Sequence, residues 1–142
     1  MNAPATDNSE AWRQLQEFAE SFPDGDGHWS AWKPMVREVL SGLECHGVVP
    51  FFSAGQSMHH IIFATLDRHG LDSEPRVTLA FQPQQGLVRI ALGTTNLYFA
   101  APQWETAVPL REAVPTVRRF LRHLWGEGKP GSPTPSVLDH PY

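Results

Sequence analysis

The chain has 142 residues, with 11 Lys and Arg against 15 Asp and Glu for a formal charge of −4, and only 18% of its residues are charged. That is below the roughly 25% of an average soluble domain, and it excludes a disordered polyampholyte, a coiled coil, a collagen-like chain and a histone-like nucleic-acid binder. The length fits one compact domain.

Residues 7–22 read as a helix, because Leu15, Phe18, Ala19 and Phe22 recur at helical spacing beside Trp12. Asp7, with Glu10 three residues on, suits its N-cap. Pro23, Asp24, Gly25, Asp26 and Gly27 stop it. A second helix over 30–43 places Trp32, Met35, Val36, Val39, Leu40 and Leu43 on one face, with Pro34 near its first turn and Gly42 at its end. After Gly47 the apolar runs shorten, and strands are expected over 48–53, 60–66, 76–82 and 87–93. Pro83, Gln84, Gln85 and Gly86 join the last two as a hairpin, and residues 96–100 form a further strand.

The final helix runs over 112–125, with Val114, Val117, Leu121, Leu124 and Trp125 as its apolar stripe and Pro115 in its first turn. Helices, then strands, then a helix predict an α+β fold. Its antiparallel sheet has about four to five strands, flanked by two N-terminal helices and one C-terminal helix. This domain spans 1–127, and a Pro- and Gly-rich tail over 128–142 is extended and mobile unless Val137, Leu138 and Tyr142 dock.

No basic and apolar leader precedes the first helix. The longest charge-free run, 45–66, has 12 apolar residues among 22 and contains Pro50, Gly55, His59 and His60, so no membrane span is expected. Cys45 is the single cysteine, which excludes an intrachain disulfide and a Cys-based zinc site. A reduced, cytoplasmic protein is the expectation.

Four groups of residues bear on chemistry. Gly55, Gln56, Ser57, Met58 and His59 invite comparison with a nucleophile elbow but lack its second glycine. On one strand Ser57 and His59 would share a face, the minimum for an activated hydroxyl. The plainer reading is a loop serine beginning a strand. Seven histidines raise metal binding, with Cys45, His46 and one of His59 and His60 as the ligands that could converge. Adjacent His59 and His60 point to opposite faces of a strand, and no His pair has the four-residue spacing of a helical zinc motif. The plainer readings are ordinary sheet histidines and a Cys45 packed as a small apolar residue.

Arg111, Arg118, Arg119, Arg122 and His123 concentrate positive charge on the last helix, whereas residues 1–50 hold 8 acids and 3 bases. Such a face meets solvent or an acidic partner. Nucleic acid is disfavoured, since the overall balance is not basic. Five tryptophans are many for this length, and Trp29, Trp32, Tyr98 and Trp104 are the aromatic candidates for an interface. No Gly-rich phosphate loop, dinucleotide fingerprint, EF-hand or kinase signature occurs, and no cofactor is expected.

These features favour a non-enzymatic protein-binding module of the chaperone, immunity or adaptor type, whose partner is another protein or a second copy of itself. The alternatives are a small enzyme or metal-dependent protein using a Ser/His or Cys/His site, and a domain binding a small molecule in an aromatic-lined cleft.

Overall fold

The computed structural model describes residues 5–21, 28–57, 60–65, 75–93, 103–128, 131 and 133–138. Two helices come first, α1 (Ala5–Glu20) and α2 (His28–Cys45). Strands β1 (Ser53–Ser57), β2 (His60–Ala64), β3 (Arg76–Gln82), β4 (Leu87–Gly93) and β5 (Trp104–Pro109) follow, and then a helix α3 (Ala113–Gly128). The strands form one antiparallel sheet in the order β1-β2-β3-β4-β5. The chain is therefore α+β, with two helices before the sheet and one after it.

Side-chain alternation sets the layers. Ala54, Phe63, Val77 and Leu92 form one row across paired strands, and Ile61, Leu79 and Ile90 form the next. With Phe81 and Val88, these rows meet the buried stripes of the helices: Trp12, Leu15 and Ala19 of α1, all six apolar residues expected on α2, and Ala113, Val117, Leu121 and Leu124 of α3. Trp12 stacks on Phe63 with ring centroids 5.2 Å apart and donates its indole N–H to the Phe52 carbonyl at 2.8 Å. Burying one large apolar side chain contributes about 1.5–3 kcal/mol, so this layer holds the helices more than their propensity does. An exposed ion pair ties α1 to α2, where the Arg37 guanidinium meets both Glu20 oxygens at 2.7 and 2.8 Å.

Several boundaries differ from expectation, each for a local reason. Because α1 starts at Ala5, Asp7 lies within its first turn. Because α2 starts at His28, Pro34 sits in its second turn, on an exposed face. Gly42 does not end α2. The helix ends three residues later in a Schellman motif, with the Gly47 amide bonded to the Glu44 carbonyl at 3.0 Å and the Val48 amide to Leu43 at 3.4 Å. Gly47 adopts φ +78°, which an L side chain takes only at a cost. The accompanying apolar contact is supplied by Val48 and Leu43, both fully buried.

The strand expected over 48–53 is replaced at its centre by a 3₁₀ turn, Val49–Phe51. Pro50 has no amide hydrogen for a ladder. Pairing begins instead at Ser53 and runs through Ala54, Gly55, Gln56 and Ser57, whose composition gives almost no strand signal. The turn at 83–86 falls as predicted, with Gly86 at φ +67°. The strand expected over 96–100 lies outside the described residues, and the fifth strand is Trp104–Pro109.

Candidate functional site

β5 pairs only with β4, through the register Leu92–Trp104 to Leu87–Pro109, so among the described residues its other side carries no ladder partner. None of its six residues is buried. Trp104 stands on the helix-facing side of this edge and remains 49% exposed, the one large hydrophobic so exposed among the described residues. Its ring lies against the His123 imidazole of α3, with centroids 4.4 Å apart and planes inclined by 30°. Arg119 is one turn before His123 on the same helix face, and Arg119, Arg122 and His123 are all exposed. The opposite side of β5 is capped by charge, since Glu105 pairs with Arg89 of β4. The result is an aromatic and cationic patch beside an open strand edge. Such an edge is a template for another strand, and charges and proline are what usually guard it. Here Glu105 and Pro109 do so at intervals, and Trp104 does not.

Other candidates go elsewhere. Trp32 is a core residue, edge to face with Phe18 at 6.4 Å and with Phe81 at 6.3 Å. Arg118 is not on the exposed arginine face, being only 3% exposed and donating to the Val137 carbonyl. Trp29 lies in α2, but its side chain, like that of Ser57, falls outside the described residues, as do Tyr98 and His59 entirely. β1 ends at Ser57, which pairs with His60 at the start of β2.

Cys45 closes α2 and is exposed, contrary to the packed thiol expected. His46 follows it half-buried, its pKa pushed below the ordinary imidazole value by burial and then by the Arg118 charge. Among the described residues no group of three His, Cys, Asp or Glu is placed to hold a metal ion. No described helix is long and apolar enough to cross a membrane. Two grooves flank α1, one of about 190 Å³ against α2 and one of about 220 Å³ against β1. Both are smaller than the roughly 300–1,000 Å³ of typical small-molecule pockets, and neither is lined by a candidate residue.

Sequence reading did not single out β5. Its residues Thr106, Ala107 and Val108 carry one weak β run beside Pro109, and Trp104 was the only signal in it. Comparison with protein-family models, with curated proteins and with solved structures finds no match to this chain.

Proposed function

We propose that this chain is a non-enzymatic protein-binding module that takes up an extended segment of a partner protein along the open edge of β5. The observation that carries this reading is the exposed Trp104, held against His123 on a strand edge with no ladder partner among the described residues. Strand addition derives affinity from main-chain hydrogen bonds and selectivity from the pockets beside them. An exposed tryptophan is the residue type that most often dominates an interface. Arg119 and Arg122 favour a partner with acidic residues flanking its apolar strand, and rim charges of this kind chiefly raise the association rate. The single exposed Cys45 thiol suits a reducing compartment, in keeping with a cytoplasmic setting.

The test is affinity capture from the source cell with the full chain, run beside Trp104→Ala and the double variant Arg119→Glu/Arg122→Glu. Partners retained by the parent chain and lost from Trp104→Ala, at unchanged melting temperature, support the reading. Identical partners on all three overturn it. Sedimentation of the pure chain shows whether the partner is a second copy, because Trp104→Ala would then shift a dimer to monomer.

A further inference from the structure

Residues 133–138 lie against α3 and against Gly47 just past the end of α2, and the contacts holding them have a recognisable chemistry. The Trp125 indole N–H donates to the Pro133 carbonyl at 3.1 Å. The Arg118 guanidinium, itself buried, donates to the Val137 carbonyl. Leu138 ends a 3₁₀ turn, Ser136–Leu138, closed by its amide on the Pro135 carbonyl at 3.0 Å, and its side chain enters the core. Val137 lies against Gly47, where an added Cβ would come within 3.4 Å of its methyl. Trp125 is held from behind, edge to face with Phe51 at 6.0 Å and Phe52 at 5.9 Å.

Proline rings fix φ near −65° at Pro133 and Pro135, and Pro135 keeps Thr134 out of the helical region. Residues 133–135 are thus pre-ordered toward polyproline II before they dock. An indole N–H on a prolyl carbonyl beside an aromatic floor is how proline-rich peptides are read, at little entropic cost.

We infer that the groove formed by Phe51, Trp125, Arg118 and Gly47 is a peptide-binding site for Pro-X-Pro-X-aliphatic-Leu segments, occupied in this structure by the chain's own residues 133–138. Two donors aim at main-chain carbonyls and only Leu138 is buried, so a partner segment with the same spacing makes the same contacts. Pro133 is only five positions beyond Gly128, the last residue of α3, in sequence. So short a separation in sequence gives an effective concentration on the order of millimolar, and the internal segment masks the site until it is released. This site is on a different part of α3 from the Trp104 patch and does not depend on the reading of that patch.

The test uses the full chain carrying Leu138→Asp, with Pro133→Gly/Pro135→Gly as a second way of loosening the segment. A fluorescently labelled peptide of residues 131–138 is titrated in and followed by anisotropy. At least one loosened variant with a parent-like circular dichroism spectrum should bind the peptide tenfold or more tightly than the parent chain does. Adding Trp125→Phe should weaken that binding at least fivefold, and a peptide with both prolines replaced by alanine should bind no better than a scrambled one. The inference is overturned if folded loosened variants bind no more tightly than the parent. It is equally overturned if neither variant folds, because residues 133–138 would then be a fixed part of the core.

Discussion

Replacing Gly42 by alanine tests the packing that places α3, and with it both surfaces described above. An ideal Cβ on Gly42 would lie 2.6 Å from Val114 Cγ2, with Val114 Cγ1 at 3.5 Å and its Cβ at 3.6 Å. Optimal carbon contacts are about 3.5–4.0 Å, so the new methyl intrudes by roughly an ångström. Val114 has little escape, since a β-branched side chain in a helix keeps one preferred χ1 and rotation would bring its other methyl forward. The helices must separate instead. Overpacking of this kind costs about 1–3 kcal/mol. Against it stands the gain of about 1 kcal/mol from replacing glycine within a helix.

Gly42→Ala should therefore destabilise by about 1 kcal/mol in the parent chain, which at this size is a melting-temperature loss of about 4 °C. In a Val114→Ala background the obstruction is gone, and the same substitution should stabilise by about 1 kcal/mol. The coupling, about 2 kcal/mol, is within the range seen for residues in contact. Urea unfolding followed by tryptophan fluorescence measures all four corners, with m expected to stay constant. Equal effects of Gly42→Ala in both backgrounds would refute this account of the α2–α3 contact.

Gly47→Ala and Gly86→Ala should each cost about 1–2 kcal/mol for their left-handed backbone, since an added Cβ at Gly47 would only reach ordinary contact with Val137 and one at Gly86 meets nothing; chemical denaturation measures both. Trp12→Phe removes the donor to the buried Phe52 carbonyl and should cost about 1–3 kcal/mol beyond its lost area. Trp104→Phe should change stability by less than about 0.5 kcal/mol, as expected of an exposed side chain. His46 is held neutral in the folded chain by burial and by Arg118. The unfolded chain therefore binds its proton more readily, and the stability owed to neutral His46 is complete above the ordinary imidazole value, about 6.5. It is lost as pH falls from there through the lowered folded value, and thermal melts of His46→Gln should show a flatter profile in that window. Glu20, held below the ordinary carboxylate range chiefly by its hydrogen bond from Arg37, adds a separate loss at more acid pH.

Local periodicity carried most of the fold. The stripe Trp32, Met35, Val36, Val39, Leu40 and Leu43 reads the same in the sequence and in the core, because burial of one helix face imposes the 3.6-residue repeat. The hairpin of β3 and β4 is legible for the same reason at period two, with a turn of suitable residues between the strands. The failures share a cause. β1 and β5 are edge strands whose Ala54, Gly55, Gln56 and Ala107 have little strand propensity, and they pair because the neighbouring strand offers a ladder. Gly47, not the expected Gly42, supplies the positive φ that ends α2, and Gly42 instead allows the close approach of Val114, since nothing in the sequence tells a glycine needed for close approach from one needed for positive φ.

Arginine and tryptophan show the same limit at the candidate sites. Arg118, Arg119 and Arg122 form one basic run in sequence, yet Arg118 turns inward to meet a carbonyl nineteen residues away. Of the tryptophans whose side chains are described, Trp12 and Trp32 are core, Trp125 is half-buried against residues 133–138, and Trp104 is left at the surface. The sequence by itself determined the α+β class, the helix faces and the central hairpin, because these follow from periodic burial and turn chemistry within a few residues. Which described strand was left at the sheet edge with an exposed tryptophan, which arginine was buried and where residues 133–138 docked were decided only by tertiary structure, since each depends on contacts between residues far apart in the chain.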